Sequence, residues 1–425
     1  MRFRSPRGTH DILPEQAGSF RKVIEVSREL FEHAGYSELV TPIFEENELF
    51  ARSVGSETDI VQKEMYVFTD RGGRTVALRP EGTAPVVRSY IQHGLHARGD
   101  MQKLFYTGPM FRYDRPSAGR YRQFHQVGIE AIGSLSPYLD VECMALLSGM
   151  AQRLGVKNVQ IHLNSVGDKD CRPAYVGLLK EYLAPKIAVM CHDCQKRYDL
   201  NPLRVLDCKQ EKCRESLRGI PKISDHLCDE CGKHFREVQG ILDSSAIPYS
   251  LDPCLVRGLD YYTKTAFELI HTVLGTQASL GGGGRYDDLV ELLGGDPTPA
   301  VGFSAGVERF VLALEEGKGE DASAGVRQGS LDAFFVAMDE TTRSLAFREM
   351  LRLREAAKVD MDFSGKSVKA QFRKADRLGA RFAVVFGGQE LARGVVKLKD
   401  LSSGLETEVP LPDLAERLGK TGGER

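Results

Sequence analysis

The sequence has no apolar run approaching the roughly 18 unbroken residues of a membrane-spanning helix, which excludes that class of integral membrane protein. Its first fourteen residues, MRFRSPRGTHDILP, carry basic side chains with no apolar stretch behind them, so the N-terminus does not read as a secretory signal. Charge is balanced: 57 Lys and Arg against 59 Asp and Glu leave a formal charge of −2. No global positive field draws in a polyanion, and a nucleic-acid partner has to be held by local basic surfaces. The chain also lacks the even cysteine count of a disulfide framework, with nine cysteines in 425 residues, a usage that points to thiols or metal ligands in a reducing compartment. Together these absences imply a soluble, cytoplasmic protein. No repeat of fixed period runs through it.

What is present is long enough for two or three domains, each with its own core, and a composition of 42% hydrophobic and 27% charged residues is that of an ordinary globular protein. After Leu13-Pro14, the apolar positions Phe20, Val23, Ile24, Leu30 and Phe31 follow helical spacing, with the proline suited to a first helical turn. From Tyr36 to about Glu130, short β-rich runs such as YSELVTPIF, EMYVFTD, TVALRP and KLFYTGPMF alternate with turn residues and predict a largely antiparallel sheet. Between about 167 and 245 the sequence turns helical, charged and cysteine-rich, interrupting sheet-like sequence that returns at Ser250, and reads as an insertion. Sheet-like sequence then runs through YSLDPCLVRGLDYYTKTAFELI and ends at VGFSAGVERFVLALEEG, half strand and half helix. EGKGEDASAGVRQGS reads as a linker. The last hundred residues alternate strand-like LDAFFVAM and RFAVVFG with helical segments, the pattern of a small α/β domain.

The most informative stretch is FRYDRPSAGRYRQFHQVGIE, Phe111 to Glu130, in which Arg112, Arg115, Arg120 and Arg122 surround a Pro/Ser/Gly turn between two β-like arms. Four guanidiniums on one hairpin repel one another unless an anion joins them. Arg offers a planar fork that matches phosphate oxygens, and Phe124 and His125 can stack on a base. By composition alone the hairpin is equally a solvated basic loop. Its order and spacing resemble motif 2 of the class II aminoacyl-tRNA synthetases. GFSAGVERF, Gly302 to Phe310, is similar to motif 3 of that class, and the first helix with the strand around Pro42 is similar to motif 1. LVRGLDYYTKTAFE from Leu255 and LGGGGRYDDL from Leu280 resemble two signatures of the histidine-specific members, and RPEGTAP from Arg79 is a sixth matching block. The resemblance spans Pro6 to about Ala313 and, more loosely, the C-terminal domain.

The resemblance implies a role for each matching residue. Arg112 would grip the α-phosphate of ATP, and Arg309 the γ-phosphate end, with Phe124 and Arg309 sandwiching the adenine. Arg257 would be the catalytic arginine that stabilises charge on the α-phosphate during attack, with Arg112 beside it; an ion-paired core arginine beside Asp260 is the structural alternative. Asp114 stands where the class carries Glu, one methylene shorter in its reach towards the adenine amino group. Glu81, Gly82 and Thr83 would bind the α-amino end of histidine, Gln126 and Glu130 would line that pocket, and Tyr261 and Tyr262 would face the imidazole. Tyrosine in a strand packs more often than it recognises, so one of that pair can belong to the core. Gly281 to Gly284 suit close backbone approach to a substrate.

The insertion holds Cys191-x2-Cys194, Cys208-x4-Cys213 and Cys228-x2-Cys231. Two CxxC knuckles are what a tetrahedral zinc site needs, so Cys191, Cys194, Cys228 and Cys231 are the expected ligands of a structural Zn2+, with Cys208 and Cys213 in reserve and a set of reduced thiols as the alternative. Cys143, Cys171 and Cys254 have no spaced partners and read as core residues. His125 and His162 read as packing or hydrogen-bonding groups.

The expected architecture is an α+β catalytic domain over 1–325, a class II antiparallel sheet flanked by helices with the insertion at about 167–245, followed by an α/β anticodon-binding domain over 330–425. The implied activity is ATP-dependent activation of L-histidine, with Mg2+ bridging phosphate oxygens, and transfer to tRNA(His). The implied state is a homodimer joined through motif 1. Lys366, Lys369, Arg373, Lys374 and Arg377 fall on a predicted C-terminal helix, several on one side, and Lys369, Arg373 and Lys374 are expected to meet RNA phosphates. Two rival readings are a catalytically inactive relative that regulates histidine biosynthesis, which lacks the anticodon domain and has eroded motifs, and a zinc-dependent RNA-binding protein acting through the insertion.

Overall fold

The computed structural model describes residues 3–55, 58–99, 101–275, 279–317 and 331–419. The expected linker lies outside the described residues from 318 onward. The chain divides into two compact units, Met1–Gly319 and Glu320–Arg425.

In the first unit the strands are β1 (Ser37–Glu38), β2 (Phe44–Glu46), β3 (Val67–Thr69), β4 (Thr75–Leu78), β5 (Gln102–Phe111), β6 (Gln123–Ile132), β7 (Val159–Ser165), β8 (Tyr249–Leu251), β9 (Thr263–His271), β10 (Ser279–Arg285) and β11 (Ala300–Gly306). Eight of them form one sheet in the order β1-β5-β6-β11-β10-β9-β7-β8, and β2-β4-β3 form a small second sheet. The inner pairings of the large sheet are antiparallel. The outer pairs β1/β5 and β7/β8 are parallel, because each is closed by a long excursion in place of a hairpin.

Helix Pro14–His33 opens on the proline at its first turn and buries Val23, Ser27 and Phe31. It packs with helix Pro137–Leu154 over one face of the sheet, where Phe105, Ile129, Phe267 and Phe303 complete the core. β10 runs through the middle of the sheet as SLGGGGR. A Cβ on Gly283 would stand 1.9 Å from the Gly302 carbonyl, and one on Gly284 would stand 2.2 Å from that of Thr265. The four-glycine run is therefore demanded largely by neighbouring strands, and only Gly281 and Gly282 face the cleft described below.

Between β7 and β8 the chain forms helices Arg172–Leu183, His192–Leu200, Glu211–Ser216 and Asp229–Ser244. The last lays Phe235, Val238 and Leu242 onto the sheet's core, while Cys194, Val205, Leu206 and Cys213 belong to a separate cluster with Tyr175, Leu179 and Tyr261.

In the second unit, β12 (Ala333–Ala337), β13 (Val359–Met361), β14 (Phe382–Phe386), β15 (Val395–Asp400) and β16 (Glu406–Pro410) form a mixed sheet ordered β13-β12-β14-β15-β16. Helix Glu340–Leu353 starts with a capping box between Asp339 and Thr342, and helix Val368–Arg377 packs against β12 through Ala375 and Phe372. Among the described residues no helix is long and apolar enough to cross a membrane.

Candidate active site

The hairpin β5/β6 holds ten residue pairs in register, from Gln102↔Ile132 to Phe111↔Gln123. Its far end delivers the arginine-rich loop over a cleft of roughly 910 Å³. Arg112, Arg120, Arg257 and Arg309 all line this cleft. Arg112 is anchored by its Nε donating 2.8 Å to the Pro80 carbonyl, with its guanidinium 5.5 Å from the centre of the Phe124 ring. Arg309, on the first turn of the helix that follows β11, donates to the carbonyl of Ser279. Burial pushes the Arg309 guanidinium down to about 10, with the charges of Arg120, Arg112 and Arg257 adding to the fall and Glu268 opposing it. Like charges converging at this depth make a receptor for a polyanion.

Arg257 pairs with Glu268 on β9 and not with Asp260, which accepts a bond from Asn201 Nδ2 at 3.0 Å. The Arg257 Nε is buried without a hydrogen-bond partner, an orphaned donor at the cleft wall. Asp114 is held within its own loop, 3.3 Å from Arg120 Nε and accepting the Arg115 N–H at 2.6 Å. His125 is fixed by Glu308 at 2.9 Å, and His162 stands 3.3 Å from Asp252.

Two buried acidic side chains stand at the cleft: Glu81 lines it, and Glu130, fully buried and outside the lining, is joined to Glu81 through Thr83. Glu81 caps helix Thr83–Gln92, accepting the backbone N–H of Thr83 at 2.7 Å and of Ala84 at 2.9 Å. Burial raises its pKa, and those two bonds and the charge of Arg112 pull it partly back. Glu130 accepts from Thr83 Oγ1 at 2.7 Å and from the Tyr286 hydroxyl. Burial pushes Glu130 up to about 8; the two hydroxyl bonds offset part of the rise and the charge of Glu81 adds to it. Among the described residues neither acidic group forms a salt bridge, so ionisation of Glu130 would leave a buried charge that a bound cation can balance. Gly82 is fixed by sterics, since a Cβ there would meet the Tyr106 ring at 2.3 Å. Gln126 reaches Ser304 Oγ at 3.3 Å and leaves its Oε1 unpartnered. The rings of Tyr261 and Tyr262 lie 4.7 Å apart and both line the cleft; Tyr261 also contacts Tyr286 at 5.6 Å, making it the more core-like of the two. The fold thus brings Arg112, Asp114, Phe124, Arg257, Arg309, Glu81, Thr83, Gln126, Tyr261 and Tyr262 into the lining of one cavity, with Arg257 5.9 Å from the centre of the Tyr262 ring, and holds Glu130 outside the lining through Thr83. Glu268, Ser304, Tyr106 and Tyr286 were not singled out as site residues from the sequence. Glu268 ends the block that begins at Leu255, and a lone carboxylate in an apolar strand was the available signal.

These features meet in a chain of known kind. The family model described as Histidyl-tRNA synthetase matches residues 8–170 and 174–310. The chain belongs to the histidyl-tRNA synthetase family. A model described as Anticodon binding domain matches residues 333–421. Relatives named histidine--tRNA ligase include one from Natranaerobius thermophilus, 47% identical over the full length of both chains, and one from Moorella thermoacetica, 50% identical over 96% of this chain and 95% of that one. The solved structure of the apo histidyl-tRNA synthetase of S. aureus superposes with a TM-score of 0.82 at 39% identity, covering 98% of this chain and 100% of that one. The fold is the class II synthetase fold of this family.

Two expectations need correction. Cys191, Cys194, Cys228 and Cys231 do not converge: the two knuckles head helices packed into different core clusters, and each finds other partners. Cys191 and Cys194 meet Cys208 and Cys213, while Cys228 and Cys231 meet Asp168 and Cys171. Cys171 is accordingly no isolated core thiol. On the C-terminal helix, Lys366, Lys369, Arg373 and Arg377 are exposed, but Lys374 turns inward, its Nζ 3.4 Å from the Met361 carbonyl and 4.0 Å from Asp362. It is not part of the exposed basic face.

Proposed function

We propose that this chain is a ligase that condenses L-histidine with ATP to histidyl-adenylate and pyrophosphate, then passes the histidyl group to the 3′-terminal ribose of tRNA(His) with release of AMP. The observation that carries this is the cleft itself, where Arg112, Arg120, Arg257 and Arg309 line the same roughly 910 Å³ space as Glu81, with Glu130 joined to Glu81 through Thr83, a space that fits an amino acid joined to a nucleotide. The histidine carboxylate oxygen attacks the α-phosphorus and the bond to the pyrophosphate oxygen breaks. Arg112 and Arg257 then oppose the charge that accumulates on the α-phosphate, in a buried setting where preorganised charge counts for more than in water. Arg309 takes the far phosphates, and Phe124 with Arg309 covers the adenine. Asp114, tied to Arg120, orders the loop that closes over the nucleotide. The α-ammonium of histidine sits by Glu81, Thr83, Gln126 and Glu130, and its ring lies against Tyr261 and Tyr262.

Class II synthetases use ATP with Mg2+, an ion that keeps most of its ligands as phosphate oxygens and water. Glu268 and Glu308 are the cleft carboxylates that would face it, and it supplies neutralisation of phosphate charge. The chain would act in the cytoplasm as a homodimer. The exposed Val40, Ile43, Phe44, Val67 and Phe68, in and leading into the sheet β2-β4-β3, are the apolar surface such a dimer would cover. The regulatory alternative is disfavoured by the matched anticodon-binding domain and by the complete arginine set. The deciding experiment is histidine-dependent exchange of pyrophosphate into ATP, followed by charging of tRNA(His). Exchange that is absent, or equally strong with other amino acids, would overturn the assignment.

A further inference from the structure

We propose that the insertion between β7 and β8 binds two zinc ions, one on Cys191, Cys194, Cys208 and Cys213 and one on Asp168, Cys171, Cys228 and Cys231. The first ion clamps the segment that positions Arg257.

In the first group the four sulfurs lie within 4.8 Å of one another, and Cys194, Cys208 and Cys213 are buried. Cys191 and Cys208 approach to 3.9 Å between sulfurs. A disulfide needs about 2.05 Å, whereas the edge of a tetrahedron with bonds of about 2.3 Å to sulfur is about 3.8 Å. The spacing is that of a metal–thiolate site and not of an oxidised pair. Backbone donors also point at the sulfurs: the Cys194 N–H reaches Cys191 Sγ at 3.4 Å, and the Cys191 N–H reaches Cys213 Sγ at 3.2 Å.

The second group stands on independent geometry. Cys231 Sγ lies 3.0 Å, Cys171 Sγ 3.4 Å and Cys228 Sγ 3.9 Å from the Asp168 carboxylate, giving three sulfurs and one oxygen. Gly167, at φ +63°, leaves room for Cys171, since a Cβ there would stand 2.7 Å from its sulfur. The Cys231 N–H reaches Cys228 Sγ at 3.5 Å, repeating the turn seen at Cys191. Soft thiolates in tetrahedral number select zinc over the hard divalent ions.

The first site bears on the cleft. Helix His192–Leu200, which carries Cys194, and the turn Pro202–Val205 connect its two ligand pairs. From them Arg197 and Arg204 both reach Asp59, at 2.7 and 3.4 Å, Arg204 holds the Gly258 carbonyl at 3.2 Å, and Asn201 holds Asp260 at 3.0 Å. Gly258 follows Arg257 directly, so the four cysteines are positioning residues for it.

The test is elemental analysis of the full-length protein purified without chelator, with X-ray absorption at the zinc edge. Two zinc per chain are expected, with an average of more than three sulfur ligands each. Cys208→Ser with Cys213→Ser should remove one equivalent, and Asp168→Ala with Cys228→Ser the other. Wild-type protein without bound zinc, or zinc coordinated mainly by nitrogen and oxygen, would overturn both sites; a total zinc content unchanged by the first pair would overturn the four-cysteine site, and one unchanged by the second pair would overturn the other. The clamp rests on the proposed activity, whereas metal content does not. Loss of the first zinc should lower the rate of adenylate formation by roughly tenfold or more, as outer supports of a site commonly do, and loss of the second by far less. Equal rates in the two variants, with metal lost as expected, would overturn the clamp alone.

Discussion

Glu130→Gln should make the unliganded protein more resistant to heat at pH 8 while impairing its affinity for histidine. Glu130 is fully buried, and its pKa rises from an ordinary 4.5 to about 8. Between those values the unfolded chain has released the proton that the folded chain retains. The unfolded state therefore binds fewer protons, and stability falls as pH rises from about 4.5 to 8, then levels off. At 1.36 kcal/mol per pH unit the full difference is about 5 kcal/mol. With an unfolding entropy of about 2.1 cal/mol/K per residue over the 319 residues of the first unit, about 0.7 kcal/mol/K, this corresponds to a fall in Tm of about 7 °C. Glutamine resembles the protonated acid in shape and can still bond the hydroxyls of Thr83 and Tyr286, so its melting curves should lack this component. Histidine should restore what ionisation costs, because its α-ammonium provides the balancing cation. The assay is thermal unfolding of both proteins from pH 5 to 9, with and without saturating histidine, together with histidine titrations. Parallel Tm profiles for wild type and Glu130→Gln without ligand would refute the reasoning, since Glu130 would then ionise in the empty pocket at little cost.

Arg257→Ala should slow adenylate formation by orders of magnitude, with a much smaller change in histidine affinity, because its charge is needed as the α-phosphate gains charge. Stopped-flow rates beside histidine titrations separate the two, and equal losses in both would remove the role. Replacing the exposed Lys369, Arg373 and Arg377 with Glu should raise the KM for tRNA and flatten its dependence on salt while leaving pyrophosphate exchange intact. Lys374→Gln should instead act through the stability of the second unit, seen in its melting and not in the salt slope. An unchanged KM at every salt concentration would place the RNA on another face.

The sequence by itself determined the family, the motifs and the class of chemistry. The arginine hairpin, the strand-to-helix block at Gly302 and the signature at Leu255 are local patterns, each written within about twenty residues, and the β5/β6 arms and the first helix formed where alternation and helical spacing placed them. Only the tertiary structure decided which distant groups meet. The outer CxxC pairs looked like one site because spacing along the chain was the sole guide, yet the two helices they head are buried in different clusters, and the pairs took Cys208 with Cys213 and Asp168 with Cys171 instead. Arg257 found Glu268 across a strand and not Asp260 three residues on, because neighbours in a turn need not face one another. Lys374 left the basic face because helix packing turned it towards Asp362. The proton held by Glu130 belongs to neither Glu nor its neighbours in sequence; it follows from burial beside Glu81, Thr83 and Tyr286, which lie 49, 47 and 156 positions away along the chain.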